Sequence, residues 1–217
     1  MRDAGSRYVP ALGLAALTRF YDTVLALTMR ERRWRPLLRD RIAAHLGSGG
    51  RIVDVGGGTG TMAIALAALR PDAQVIAVDG DSEVLRLARR KPGAERVSWR
   101  RGLAGDLDLE DASAEAVVMS LLLHHLDPDS KRRALLDARR VLAGGGRLHV
   151  ADWGKPHDLV MRAAFSIVQL SDGIDGTYDH AAGRLPEFIA EAGFHHVERY
   201  QRLRTCFGSL ELLEACR

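Results

Sequence analysis

Apolar side chains in the first part of the chain recur at helical spacing, which predicts two helices before any strand. The first helix covers residues 8–29, and the second runs through Leu37 and Ile42 to end at Gly47. The longest uninterrupted apolar runs, such as Met62–Leu69, are far shorter than the roughly 18 residues that a bilayer-spanning helix needs. We therefore expect no transmembrane helix.

After Gly47 the pattern changes to short β-branched and apolar runs that alternate with helical segments. This alternation predicts strands at residues 51–55, 74–79, 97–100, 116–120 and 147–152 and helices at residues 61–69, 81–90 and 129–142. Connections of this kind cover both faces of a sheet, and several of the runs are continuously apolar, as buried parallel strands are. We therefore predict an α/β fold with a doubly wound, mostly parallel, Rossmann-like sheet.

The glycine run at 144–146 is predicted to close the helix at 129–142. The pattern after the fifth strand predicts further helices and a pair of strands. These are an apolar helix at 159–170, a loop at 172–182, a helix at 185–192 and two strand-like runs at 194–203 and 205–215. Little chain separates the last two runs, so we expect an antiparallel edge hairpin and about seven strands in all. The 217 residues fit a single domain, with a helical lid at 1–47, a core at 48–153 and a lid helix with the last strands at 154–217.

Composition excludes several classes of protein. Apolar residues make up 47% and charged residues 27% of the chain, which is typical of a globular fold and excludes a disordered or fibrous one. The two cysteines, Cys206 and Cys216, cannot build a disulfide framework or a four-thiolate metal site, so we expect no metal. The first residues have no clear cleavage site, which favours a cytoplasmic protein.

The interval from Arg30 to Arg41 holds six arginines against two acids, Glu31 and Asp40. Such a cluster can contact RNA or an anionic lipid surface, but Trp34 is its only aromatic residue. We favour a solvated helix face over a nucleic-acid partner. The sequence leaves the oligomeric state open.

A glycine-rich turn follows the first predicted strand, in the segment Val53-Asp-Val-Gly-Gly-Gly-Thr-Gly60. Gly56, Gly58 and Gly60 let the backbone turn sharply and approach a ligand at the carboxyl end of the sheet. Gly58, Gly60 and Ala63 also satisfy the dinucleotide pattern, so a nicotinamide or flavin enzyme is an alternative.

Two carboxylates narrow the choice of ligand. Asp54 lies inside the strand, two residues before the first glycine, where burying a charge is costly unless a cation compensates it. It suits the amino group of a methionine tail better than an anionic pyrophosphate. Asp79 ends the second strand and can accept hydrogen bonds from ribose hydroxyls, which either kind of cofactor offers.

Residues 51–152 resemble the core of a class I S-adenosylmethionine-dependent methyltransferase. Residues 53–60 match the first motif of that family, 77–79 its acidic second-strand end, and 140–148 the approach to its fifth strand. Within the family the chain is similar to the ubiquinone and menaquinone biosynthesis methyltransferases, as Ser120 at the end of the fourth strand indicates.

The resemblance implies S-adenosylmethionine as the cofactor. The expected cofactor-binding residues are Asp54, Gly56, Gly58, Thr59, Gly60, Asp79, Gly80, Leu103, Ala104 and Ser120. Leu103 departs from the family, which has Asp or Asn there to contact adenine, and Glu115 stands where an aspartate usually opens the fourth strand. Backbone amides at 103–104 can still bind adenine, or Asp106 can reach back to replace the missing side chain.

No catalytic residue is assigned, because a sulfonium methyl donor is already activated and alignment of the reactants contributes most. If the acceptor needs a base, His124 and His125 are the nearest candidates; the alternative is that one packs the loop and the other faces solvent. His157 and His180 are weaker candidates. Tyr21 is the residue of the first helix that we expect to reach the cofactor.

The helices at 8–29 and 159–170 either act as lids over an apolar acceptor or simply pad the sheet. Our first hypothesis is a methyltransferase that acts on a small, rather apolar molecule, with a quinone-like ring carbon as the first choice. O- or N-methylation of a natural product or lipid headgroup is one alternative, and a non-catalytic S-adenosylmethionine-binding protein is another. Peripheral membrane contact would fit a lipid-soluble acceptor, although the sequence does not require it.

Overall fold

The computed structural model describes residues 29–217, apart from the side chains of residues 171, 172, 174 and 175. The helix expected at 8–29 and the contact expected of Tyr21 lie outside the described residues. Within the described part of the chain, no helix is both long enough and apolar enough to cross a membrane.

One sheet forms the centre of the fold. Its strands are β1 (Arg51–Val55), β2 (Gln74–Asp79), β3 (Val97–Arg101), β4 (Ala114–Ser120), β5 (Leu142–Trp153), β6 (His195–Thr205) and β7 (Gly208–Cys216). Their order across the seven-stranded sheet is β3-β2-β1-β4-β5-β7-β6. Strands β1 to β5 pair in parallel, and β7 pairs antiparallel with both β5 and β6. The predicted doubly wound sheet and its antiparallel C-terminal hairpin are confirmed.

Helices pack on both faces of this sheet. They are α1 (Glu31–His45), α2 (Thr61–Leu69), α3 (Ser82–Ala88), α4 (Pro128–Val141), α5 (Leu159–Asp172), α6 (Ile174–Ala182) and α7 (Leu185–Glu191), with short 3-10 turns at Ala94–Arg96 and Leu123–His125. Helices α4 and α7 pack around Leu148 and Phe188 on one face. Helices α1, α2 and α5 pack around Trp34 and Phe165 on the other. Burial of both faces explains why the central strands are continuously apolar.

Two helix starts are fixed by capping aspartates. Asp81 accepts hydrogen bonds from the amides of Glu83 and Val84 at the start of α3. Asp127 accepts from the amides of Asp129 and Ser130 at the start of α4. Such caps satisfy amides that have no partner within the helix. They determine where the chain turns back after β2 and after β4.

The prediction of a loop at residues 172–182 is wrong, because α6 occupies Ile174–Ala182. Tertiary packing overrides the low helix propensity of its glycine and aspartate residues. Gly176 packs against the backbone of His124, where a Cβ atom would lie 2.3 Å from the carbonyl oxygen. The ammonium group of Lys131 donates to the Gly176 carbonyl oxygen at 2.6 Å. The glycine is therefore one of the points where α6 contacts the rest of the fold.

The prediction that residues 144–146 close a helix is also wrong, because these glycines lie inside β5. Strand β5 pairs with β4 at Leu142 and again from Arg147, and the residues between them leave the regular ladder. A Cβ atom on Gly146 would lie 3.1 Å from the carbonyl oxygen of Glu115. Close approach of two backbones at a strand irregularity favours glycine.

Candidate active site

The turn after β1 is anchored to the end of β2 by its own backbone. The amides of Gly56 and Gly57 both donate to the carbonyl oxygen of Val78, at 2.8 and 3.1 Å. The chain then enters α2 at Thr61. The turn is therefore held at the carboxyl edge of the sheet, where open α/β folds bind ligands.

Three glycines of this turn have positive φ angles, and for Gly58 and Gly60 the reasons differ. Gly60 (φ +78°) packs against the ring of Trp99, which a Cβ atom would approach to 2.1 Å. A Cβ atom on Gly58 (φ +55°) would meet nothing closer than 4.0 Å among the described residues. Gly60 therefore serves the packing of helix against strand, whereas Gly58 leaves the backbone open to a ligand.

Asp54 is fully buried beneath this turn, where a Cβ atom on Gly57 would lie 3.3 Å from its Oδ2. Within the described part of the chain, neither carboxylate oxygen of Asp54 has a hydrogen-bond partner. Burial raises the pKa of Asp54 to about 7; Arg35 on α1 and the nearby backbone amide of Ala63 oppose this shift, and Asp79 adds to it. A buried carboxylate is costly unless a ligand supplies the missing donors. The site of Asp54 therefore fits a ligand with an ammonium group.

Asp79, at the end of β2, has different surroundings. Its carboxylate accepts hydrogen bonds from the Gly58 amide at 2.8 Å and the Asp81 amide at 2.9 Å. Burial raises the pKa of Asp79, and these two amides oppose the shift. The carboxylate is held between the glycine turn and Gly80, and its oxygens can still accept hydrogen bonds from ribose hydroxyls.

A cavity of about 330 Å³ begins where β2 ends, and it is lined by Gly80, Asp81, Ser82, Arg101, Gly102 and Leu103. Leu103 is 47% exposed, and Ala104 packs against the core. The Gly102 amide donates to the Asp79 carbonyl oxygen at 3.1 Å, which ties this segment to β2. The cavity offers adenine an apolar side chain and backbone groups.

Asp106 forms a tight turn with Leu103, whose carbonyl oxygen accepts a hydrogen bond from the Asp106 amide at 3.1 Å. Together with Gly102 and Val78, Asp106 lines a neighbouring cavity of about 300 Å³. Asp106 does not line the cavity that Leu103 lines. A contact between Asp106 and adenine therefore stays a prediction.

Thr59 and Ser120 are the other residues expected on the donor side. The hydroxyl oxygen of Thr59 accepts a hydrogen bond from Lys91 Nζ at 2.8 Å, so this side chain is already oriented. Ser120 ends β4 beside Ala151 of β5 and is half-buried. The structure brings both residues to the edge of the sheet where the glycine turn lies.

A buried pair lies at the carboxyl ends of β4 and β5, with His124 in the turn after β4 and Asp152 near the end of β5. The Nδ1 atom of His124 donates to Asp152 Oδ1 at 2.7 Å. The amides of Leu123 and Trp153 donate to the same carboxylate at 2.8 and 2.7 Å. Burial works to raise the pKa of Asp152, but His124, His180 and these hydrogen bonds lower it well below its usual range. Asp152 is therefore an anion that orients the His124 ring.

The other candidate histidines have three different settings. His125 stacks on His124, with ring centroids 3.9 Å apart. His180 is fully buried on α6, and its ring centroid lies 6.1 Å from that of His124. His157 instead contacts Ser209 of β7, with 2.7 Å between Nδ1 and the hydroxyl oxygen. The structure therefore brings His124, His125 and His180 together and leaves His157 apart from them.

Known proteins match large parts of this chain. Residues 52–146 match the family described as a methyltransferase domain. A demethylmenaquinone methyltransferase of Clavibacter sepedonicus is 33% identical to the chain over 185 residues, which cover 76% of this chain and 73% of that relative. The chain belongs to the S-adenosylmethionine-dependent methyltransferases. Its methyl donor is accordingly S-adenosylmethionine.

Other methyltransferases match different shares of the chain. A ubiquinone/menaquinone biosynthesis C-methyltransferase of Caulobacter sp. (strain K31) is 36% identical over 132 residues, which cover 55% of this chain and 51% of the relative. The chain thus spans about half the length of that relative. A solved S-adenosylmethionine-dependent methyltransferase of Methanosarcina mazei has a TM-score of 0.66 at 22% identity and covers 81% of this chain and 96% of its own. This likeness shows a shared fold. Family membership removes the nicotinamide alternative.

The sequence did not predict which residues from distant elements would contact the site residues of this methyltransferase. Arg35 lies close enough to Asp54 to lower its pKa, although the two residues belong to different elements. Likewise, nothing in the spacing of the sequence connects Asp152 with His124. One signal was present, because Asp152 is a charged residue at the end of a strand that is otherwise apolar, as Asp54 is.

Proposed function

We propose that this chain transfers a methyl group from S-adenosylmethionine to a small, rather apolar acceptor, with a quinone-like ring carbon as the first choice. The donor half of the proposal rests on Asp54, a buried carboxylate without a hydrogen-bond partner among the described residues. The methionine tail of the donor offers the ammonium group that such a carboxylate needs. The acceptor half is supported by relatives whose names refer to ubiquinone or menaquinone.

Each part of the donor has a matching group in this proposal. Asp54 binds the ammonium group, and Arg35 binds the carboxylate of the same tail in place of Glu31, to which it now donates two hydrogen bonds of 2.8 and 3.0 Å. Asp79 accepts the ribose hydroxyls, and Leu103 packs against adenine. The remaining proposed contacts are Gly56, Gly58, Thr59, Gly60, Gly80, Ala104 and Ser120.

Bound S-adenosylmethionine supplies a methyl group on a positively charged sulfur, so alignment with the attacking atom contributes most of the catalysis. The chain has to hold the acceptor and accept one proton. We assign the proton to His124, which Asp152 orients through the 2.7 Å hydrogen bond. The buried rings of Trp153 and Phe165, with centroids 5.8 Å apart, pack next to this pair, since the Trp153 ring centroid lies 6.2 Å from that of His124.

O-Methylation of a phenol is the second candidate, and the same His124–Asp152 pair favours it. A phenol becomes a much better nucleophile when a base removes its proton, whereas a neutral amine can attack without a base. The position of the new methyl group on the product, determined by NMR, distinguishes ring-carbon from oxygen transfer.

Two ligands that differ only in the amino acid tail test the role of Asp54. S-Adenosylhomocysteine carries the tail, and 5′-methylthioadenosine lacks it. We expect Asp54→Asn to weaken S-adenosylhomocysteine binding about 10- to 100-fold, because a buried charged hydrogen bond is lost. Binding of 5′-methylthioadenosine should be unchanged. Isothermal titration calorimetry measures both affinities.

If Asp54→Asn weakened the binding of both ligands equally, Asp54 would maintain the fold and would not bind the ammonium group. Failure of the parent protein to bind S-adenosylhomocysteine would remove the proposal.

Methyl transfer itself is tested with quinols, phenols and amines as acceptors. Mass spectrometry detects the addition of one methyl group to the acceptor. A parent protein that binds the donor product but methylates no acceptor would support the binding-protein alternative.

A further inference from the structure

A second imidazole near the His124–Asp152 pair has a ring nitrogen without a partner. His180, on α6, is fully buried. Its Nδ1 atom lies 2.7 Å from the carbonyl oxygen of Trp153. Its Nε2 atom is also buried and, within the described part of the chain, has no hydrogen-bond partner. Most buried polar atoms in proteins are paired, so this atom calls for an explanation.

The contact with Trp153 determines which His180 nitrogen carries the hydrogen. A carbonyl oxygen can only accept, so Nδ1 is the donor and Nε2 presents a lone pair. Burial lowers the pKa of His180 to about 4, with Lys131 and His124 acting in the same direction and Asp152 opposing them. The ring is therefore neutral near pH 7. Its Nε2 atom is a hydrogen-bond acceptor that lacks a donor.

The ring is also held in a fixed place at the carboxyl edge of the sheet. Its Nδ1 atom lies 3.9 Å from Asp152 Oδ1, the same oxygen that accepts from His124. Lys131, on α4, anchors α6 through its 2.6 Å hydrogen bond to the Gly176 carbonyl oxygen. The position of Nε2 is therefore set by two helices and the end of β5.

This cluster adjoins the glycine turn of the donor site. A Cβ atom on Gly56 would lie 2.7 Å from the side chain of Leu122, which precedes His124 by two residues. The segment that contacts the turn therefore continues directly into the histidine cluster. In the proposed function, the methyl acceptor lies between the turn and these two imidazoles.

We infer that His180 Nε2 accepts a hydrogen bond from a hydroxyl group of the methyl acceptor. The inference rests on the proposed function and deepens it by naming the side chain that contacts a hydroxyl group of the acceptor. A hydroxyl group supplies the donor that Nε2 lacks, whereas an ether or carbonyl oxygen is itself only an acceptor. His180 is thereby a residue that positions the acceptor through one of its hydroxyl groups.

Two probes that differ in their hydroxyl hydrogens test this inference. They are 1,4-naphthohydroquinone, kept reduced under anaerobic conditions, and its dimethyl ether, 1,4-dimethoxynaphthalene. Affinities are measured by calorimetry with the parent protein saturated with S-adenosylhomocysteine. We expect the hydroquinone to bind about tenfold more tightly, because the ether leaves Nε2 without a donor.

Two variants of His180 separate binding from structure. In His180→Asn, the amide nitrogen can replace Nδ1 as the donor to Trp153, but no group replaces Nε2. In His180→Gln, the longer side chain carries an amide oxygen to about the position of Nε2. We expect the preference for the hydroquinone to disappear in His180→Asn and to return in part in His180→Gln. Melting temperature and S-adenosylhomocysteine affinity serve as controls that a hydroxyl contact should not change.

Equal binding of hydroquinone and ether by the parent protein would overturn the inference without any use of a variant. An undiminished preference in His180→Asn would also overturn it. Both results leave the proposed function intact if the parent protein still methylates an acceptor. Failure of the parent protein to bind S-adenosylhomocysteine would instead remove the proposed function and this inference with it.

Discussion

Asp54 and Asp79 lie on neighbouring strands, yet their carboxylates have opposite surroundings. Asp79 is held by two backbone amides. Asp54 is fully buried and has no hydrogen-bond partner within residues 29–217. In our proposal, the first carboxylate accepts neutral hydroxyls and the second binds a cation. This difference would then set the direction in which a nucleoside with an amino acid tail binds.

Donor binding should release a proton from Asp54 at mildly acidic pH. With a pKa of about 7, Asp54 of the ligand-free protein is largely protonated at pH 6, and an ammonium group favours the charged form. The affinity for S-adenosylhomocysteine should therefore rise between roughly pH 5 and pH 7 and then level off. Calorimetry in buffers of different ionisation enthalpy should detect about one proton released at pH 6 and almost none at about pH 8.5.

The matched control for this release is 5′-methylthioadenosine, which has no ammonium group and should release no proton. Asp54→Asn should likewise release none when it binds S-adenosylhomocysteine. If the release persists in Asp54→Asn, the proton belongs to another group, of which Asp79 is the first to test because burial raises its pKa as well.

Site residues with a local signature could be predicted from the sequence. Asp54, Gly58 and Asp79 follow from strand ends and a glycine turn, because the charge or glycine stands out against its neighbours. The interactions of Asp152 and His180 could not be predicted. They depend on how α6 packs over the end of β5, and contacts between distant elements leave no pattern in one sequence.

At the scale of elements, helix α5 has apolar side chains on two faces. Phe165 and Val168 are buried against the sheet, whereas Leu159, Ile167 and Leu170 are exposed. A helix that only pads a sheet needs one apolar face. The exposed apolar face favours the lid alternative, in which α5 covers an apolar acceptor.

A larger residue on the exposed face of α5 should interfere with the acceptor and not with the donor. Ile167 is 56% exposed, so Ile167→Trp leaves the core unchanged. We expect the KM for the acceptor to rise severalfold, with the KM for S-adenosylmethionine and the melting temperature unchanged. Ala163→Phe should act in the same direction, because Ala163 is exposed on the same helix.

Leu136→Trp on α4 is the matched control, since Leu136 is 54% exposed on another helix. This variant should leave both KM values unchanged. If Ile167→Trp and Leu136→Trp have the same kinetics as the parent protein, α5 is a structural helix and the proposed lid is wrong.

Elements could be predicted where hydrophobic periodicity and turn residues agree. The helix at 61–69 and the strand at 74–79 have the predicted limits. The helix at 174–182 was missed because glycine and aspartate favour loops, while its stability comes from contacts with Lys131 and His124. Gly146 of β5 was also misinterpreted, because it lets two backbones approach instead of ending a helix.

At the scale of the whole molecule, charged groups join α1 to the antiparallel edge of the sheet. Glu214 of β7 is almost fully buried and accepts from Arg41 of α1 at 2.7 Å. It also pairs with Arg147 and lies 3.6 Å from His149 of β5. Arg41 reaches Glu198 of β6 at 2.8 Å. One guanidinium group therefore connects a helix with both strands of the C-terminal hairpin.

Arg41→Ala should destabilise the fold by about 2 kcal/mol, because it removes one partner of a buried carboxylate while Arg147 remains. Urea unfolding monitored by circular dichroism measures the change. Burial works to raise the pKa of Glu214, but Arg41, His149 and Arg147 bring it below its usual value. The stabilisation is therefore present above the ordinary glutamate pKa, and it is lost as the pH falls and Glu214 takes up a proton.

Arg39→Ala is the matched control, since Arg39 pairs with exposed Asp40 at 2.7 Å and should cost no more than about 0.5 kcal/mol. The ion pair between Arg41 and Glu214 does not stabilise the fold if the two variants are equally stable. The same conclusion follows if Arg41→Ala changes the free energy of unfolding equally at low and neutral pH.

The connection between Glu214 and Arg41 has a consequence for synthesis on the ribosome. Helix α1 also carries Arg35, which acts on Asp54, so the helix beside the donor site is fastened by a strand that is made more than a hundred residues later. The nascent chain can build the glycine turn early, but α1 gains its full support only when β7 enters the sheet between β5 and β6. Under the proposed function, we therefore expect competence to bind the donor to be acquired late in translation, once β7 has joined the sheet.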